Sequence, residues 1–150
     1  MSARGTGVNV ALVAVGGAIG ASLRHGCSLA TASLGGGEEA WLLVVNLIGA
    51  FALGLVFTTL DPAAPRSIDV ELSPGEQGPD PKKERIGAFV AVGLIGAFTT
   101  YSALAVLLME RFRAGEVVEG VVILVVSLAG GLAMVGLGVK AGRWRGRTVG

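Results

Sequence analysis

Six side chains in otherwise apolar stretches of this chain can hydrogen-bond at neutral pH without changing charge. They are Asn46, Thr99, Thr100, Tyr101, Ser102 and Ser127. Four of them fall in one run, Gly96-Ala97-Phe98-Thr99-Thr100-Tyr101-Ser102, at the centre of an uncharged segment. Polar groups at such positions must be satisfied by protein or water. A set of donors that do not titrate suits passive movement of an anion, which exchanges its water shell for protein donors.

The segments that carry these residues are long. Windows 5–23, 40–60, 86–109 and 120–139 contain no Asp or Glu and each has at least 19 residues, close to the length of a helical span. The chain is 52% hydrophobic and only 15% charged over 150 residues, where a soluble domain carries roughly 25% charge. Mean hydropathy is +0.71. The expected architecture is an all-α membrane protein of four transmembrane helices, over about 8–34, 40–60, 86–109 and 117–139. Residues 61–85 form a linker. It holds all five prolines and ten of the 23 charged residues, and is expected to be flexible and cytoplasmic.

Several function classes fall away. A proton-coupled exporter needs a titratable group in the membrane, and an enzyme needs a general base. The windows supply neither, and no hydrolase, phosphate-loop or metal-cluster pattern is present. The chain is therefore expected not to be an enzyme. Cys27 is the single cysteine, so no intrachain disulfide forms. A net charge of +1 suggests no nucleic-acid partner.

Each candidate residue has two readings. Asn46 either bonds a neighbouring helix or lines a pore. Ser127 either bonds its own i−4 carbonyl or faces the path. In the third span, Gly96 and the Thr99-Thr100 pair favour a break near mid-membrane, whose freed carbonyls would suit a cation; the alternative is an intact helix with back-bonded hydroxyls. Arg24, four residues after Gly20 on the same face, either attracts anions or snorkels to the interface. The glycines of the first, second and fourth spans serve either packing within the chain or a subunit interface.

Lys and Arg are unevenly placed. The N-terminus, the 61–85 linker and the C-terminal tail hold nine, while the 110–119 turn holds Arg111 and Arg113. This predicts both termini in the cytoplasm of a multi-pass protein of the inner (plasma) membrane.

Gly16-Gly17-Ala18-Ile19-Gly20-Ala21-Ser22-Leu23-Arg24, Val45-Asn46-Leu47-Ile48-Gly49, Gly93 to Ser102, and Ser127-Leu128-Ala129-Gly130-Gly131-Leu132 together resemble the Fluc/CrcB fluoride channels, in all four spans and in order. The resemblance implies a fluoride-selective passive channel that lowers cytoplasmic fluoride, built as an antiparallel dimer in the bilayer. It implies a structural, untransported sodium ion on the backbone carbonyls of Gly96 and Thr99. It implies a fluoride path along Asn46, Thr100, Tyr101, Ser102 and Ser127, with Arg24 in a vestibule. The chain departs from the family pattern in three places. Gly96-Ala97 stands for Gly-Gly, Tyr101 and Leu104 stand for two pore phenylalanines, and the 61–85 linker is long. An antiparallel homodimer needs both orientations of one sequence, so the nine-to-two bias points to a heterodimer with an oppositely biased paralogue. A non-conducting structural subunit, or a small transporter for another substrate, are the alternatives.

Overall fold

The computed structural model describes residues 3–60 and 80–148. The expected linker lies outside them as far as residue 79. Four helices long and apolar enough to cross a membrane make up the described chain, with no strand among the described residues. α1 spans Ala3–Ser33 and α2 Glu38–Leu60. The third span has two halves. Its first half, α3, joins α-helical Pro81–Gly87, π-helical Ala88–Ile95 and the short turn Gly96–Phe98. Its second half, α4, is Tyr101–Arg113. The last span, α5, is Val117–Thr148.

Two of these bounds differ from the apolar windows for identifiable reasons. The third span starts at Pro81, inside the stretch expected to be linker. Asp80 caps it by accepting the Lys82 N–H at 2.9 Å, and Pro81 occupies the first turn, where its missing donor costs nothing. α5 continues beyond residue 139 through the basic tail, because Lys and Arg are good helix formers and suit a helix C-terminus.

The two tight connections are closed by glycine. Gly35 and Gly115 have φ of 76° and 80°. Beyond each, a backbone N–H reaches back five residues: Gly36 to the Thr31 carbonyl and Glu116 to that of Arg111, both at 2.9 Å. This is the left-handed cap that ends a helix within one residue. Arg111 ties the two connections together by pairing with Glu39, Glu116 and Glu119.

The helices pack in two intimate pairs, α1 against α3 and α2 against α5. Glycine makes both possible. A Cβ on Gly16 or Gly20 would overlap the carbonyl oxygens of Phe89 or Leu94. One on Gly93 would lie 2.8 Å from the Val13 oxygen. Gly54 and Gly138 sit equally close to the carbonyls of Val135 and Phe51. In lipid, where apolar side chains gain little by leaving the tails, backbone contact of this kind supplies the packing energy. The π-helical stretch of α3 lies where α1 comes closest. These glycines thus take the intrachain option. Gly131 and Gly136 do not, since nothing lies within 4 Å of a Cβ on either.

Replacing Gly20 by leucine should destabilise the subunit by about 1–3 kcal/mol through overpacking against rigid backbone. The same change at Gly131 should be nearly neutral. Thermal unfolding of both variants in detergent tests this; equal melting temperatures would contradict the crossing.

Candidate functional site

The third span is interrupted at Thr99 and Thr100, which have extended backbone (φ/ψ −79°/158° and −147°/118°) between two helical halves. The sequence favoured this outcome over a continuous helix. Back-bonding also occurs, since Thr99 Oγ1 donates to the Ile95 carbonyl at 3.1 Å. It closes the end of α3 without restoring the helix.

An extended dipeptide inside a membrane helix leaves its own amide and carbonyl without ladder partners, and Thr100 is buried. Asn46 on α2 satisfies both. Its Oδ1 accepts the Thr100 N–H at 2.9 Å, and its Nδ2 donates to the Thr100 carbonyl at 3.1 Å. The carboxamide pairs with both backbone groups of one residue, as a neighbouring strand would. The reversed amide would set donor against donor, so the pairing fixes the amide's orientation. One turn on, Gly49 leaves room for the Thr99 side chain, whose Cγ2 would collide with a Cβ there.

Thr100 in turn starts α4. Its Oγ1 accepts the Ala103 N–H at 3.2 Å and lies 3.3 Å from Ser102 Oγ. On the other side, Arg24 Nη1 reaches the Thr99 carbonyl at 3.4 Å, a long contact. Arg24 is half-buried at the break instead of snorkelling to the interface. Because Asn46 holds the Thr100 N–H, that donor is withdrawn from the Gly96 carbonyl, its partner in a continuous helix.

Arg24, Asn46, Thr99, Thr100 and Ser102 therefore meet at one place. Gly96 lies one turn before it, with an exposed backbone. Tyr101 points away, with 79% of its surface exposed. Leu104, in the position of an expected pore aromatic, is instead buried at 5% exposure. Ser127 is half-buried and makes no hydrogen bond to any described residue, so it does not bond its i−4 carbonyl. Asn46 retains one amide hydrogen after both bonds to Thr100, and the Thr100–Ser102 pair shares its hydroxyl hydrogens. Both readings of Asn46 are thus compatible in one residue: it grips the break and keeps one donor free.

Two polar links were missed at the sequence level. Asn9 Nδ2 donates to Glu84 at 2.6 Å, joining α1 to the start of α3. The Arg111 cluster joins the α1–α2 and α4–α5 turns. The only available signal for the first was an Asn near one end of a span and a Glu near the same end of another.

Residues 11–139 match the family model described as CrcB-like protein, Camphor Resistance (CrcB). The chain belongs to the CrcB family. Its curated relatives include the "Fluoride-specific ion channel FluC" of Chloroflexus aurantiacus, 32% identical over 92% of this chain and 98% of the relative. The protein of the same name from Thermus thermophilus is 36% identical over 87% and 92%. "Fluoride-specific ion channel FluC 2" of Listeria innocua is 37% identical over 84% of each chain. Membership in the CrcB family accords with the ordered motifs in all four spans.

Removing the Asn46 amide should leave both backbone polar groups of the buried Thr100 unpaired. Asn46→Ala should lower stability by about 2–6 kcal/mol, about 1–3 for each group, while Ser127→Ala should stay within about 0.5 kcal/mol. Unfolding in detergent measures both, and the ranking would reverse if Asn46 faced only water.

Proposed function

We propose that this chain is a subunit of a passive, fluoride-selective channel that lets fluoride leave the cytoplasm. The observation that carries the reading is the cluster at the break. Neutral donors from α2 and α4 converge there with one cation, at an interruption of a membrane-length helix. The names of the CrcB relatives support fluoride as the ion. Asn46, Thr100, Ser102, Tyr101 and Ser127 would border its path, and Arg24 would raise the local anion concentration. A neutral donor set exchanges hydration for hydrogen bonds without trapping the ion, which favours flux over tight binding.

The resident sodium ion implied by the resemblance would lie on the Gly96 and Thr99 carbonyls. The donor chemistry fits. Both are neutral backbone oxygens, Gly96 has no side chain to shield its own, and its helical donor has been drawn off by Asn46. When bound, the ion would contribute fixed positive charge beside the anion path. Arg24 Nη1 lies 3.4 Å from the Thr99 oxygen, so a sodium ion there would share that oxygen with a second cation. A single chain offers few ligands, which supports an antiparallel second subunit contributing the rest.

That second subunit would be an oppositely biased paralogue. Arg111, one of only two cations on the outer side, is tied up by three carboxylates. With the nine on the cytoplasmic face of the plasma membrane, the chain inserts in one orientation. A second reading is a structural subunit that leaves conduction to its partner. The burial of Leu104 favours it, because no aromatic edge is offered there.

Fluoride efflux from liposomes separates these readings. Co-reconstitution with the paralogue should give fluoride efflux well above that of this chain alone, and chloride efflux near background. Equal efflux by this chain alone would remove the heterodimer. In the pair, Asn46→Asp should cut fluoride flux at least about tenfold, little more than 1 kcal/mol on the barrier. Unchanged flux would assign conduction to the partner.

A further inference from the structure

The C-terminal end of α5 carries a cleft that the channel reading does not use. Gly136, Val139, Lys140, Arg143 and Trp144 line it, around a volume of about 330 Å³. Lys140 and Arg143 are exposed and form no ion pair with any described residue. Trp144 stands beside them, 70% exposed. Nothing lies within 4 Å of a Cβ on Gly136, so the lower end of the cleft is open.

Depth decides what such a cleft can hold. The apolar run 120–139 comprises 20 residues, about 30 Å of helix, which matches the hydrocarbon thickness. Lys140 therefore stands at the boundary, and Arg143 stands about 4.5 Å further out, among the headgroups. Gly136 lies about 6 Å inside the hydrocarbon by the same rise. By the same rise Trp144 lies about 6 Å beyond Lys140, so the cleft offers an apolar floor, one cation at the hydrocarbon boundary, and a second cation beside the aromatic ring among the headgroups. Trp favours that depth because one edge is apolar and the other wet.

We propose that this cleft binds one anionic phospholipid, its phosphate between Lys140 and Arg143 and the start of an acyl chain over Gly136 and Val139. Charge complementarity selects the anionic headgroup, and the open glycine gives the chain a channel to descend. Lipid there would hold the end of α5 at fixed depth. The site belongs to one subunit and does not require the fluoride reading.

The full-length protein is reconstituted in nanodiscs of phosphatidylcholine with 10% phosphatidylglycerol, and lipid retained on extraction is counted by native mass spectrometry. Wild type should retain phosphatidylglycerol in preference to phosphatidylcholine. Lys140→Gln with Arg143→Gln should reduce that preference by about 30-fold, at roughly fivefold per cation. Gly136→Leu should also reduce it, though the charges remain, and Arg113→Gln at the opposite end should leave it intact. Inorganic phosphate added to phosphatidylcholine discs should neither bind nor raise the melting temperature. The proposal is overturned by equal retention of the two lipids in wild type, by undiminished preference in Gly136→Leu, or by inorganic phosphate binding in phosphatidylcholine discs.

Discussion

One carboxamide holds the membrane segment of this protein in its working shape. Extended backbone inside hydrocarbon is untenable unless its N–H and C=O find partners, at a cost of several kcal/mol for each group left bare. Asn46 meets both needs of Thr100 from a neighbouring helix. The remaining features of the break follow. Thr100 is free to cap α4 with its hydroxyl because its backbone is already satisfied. Thr99 can turn its carbonyl toward Arg24 because Gly49 accommodates its side chain.

A grip of this kind works only if α2 and the third span keep a fixed relation. Gly49 against the Thr99 side chain provides the direct contact, and the other glycine crossings hold each helix pair. α1 touches α3 through backbone at Gly16, Gly20 and Gly93, and α2 touches α5 at Gly54 and Gly138. Backbone cannot yield as a long side chain can, so these crossings tolerate little sliding. The Arg111 cluster then joins the turns at one end and the Asn9–Glu84 bond joins two spans at the other. The subunit is braced at both ends around a polar centre.

Much of this was legible in residue patterns, because lipid imposes strong rules. Uncharged length marks a span, and Gly followed by paired threonines marks a weak point in one. What was hidden depended on context. Pro81 reads as a breaker until Asp80 is recognised as its cap, which moves the start of the third span into the supposed linker. The π-helical register of 88–95 has no local signature; it coincides with the approach of α1. Arg24 could be placed on a helix face but not at a depth. Its contact with the Thr99 carbonyl needed the angle between α1 and the break.

Leu104 and Tyr101 illustrate why a position in a motif is not a position in space. They are three residues apart on α4, yet Leu104 is buried within the subunit while Tyr101 faces outward. A leucine buried at this position acts as a packing residue of the subunit. The outward ring of Tyr101 can serve an anion only where another surface meets it. An aromatic edge is electropositive and short in reach, so it acts on an ion confined between two surfaces. The most exposed large apolar side chain on α4 is thus the one whose chemistry depends on a partner.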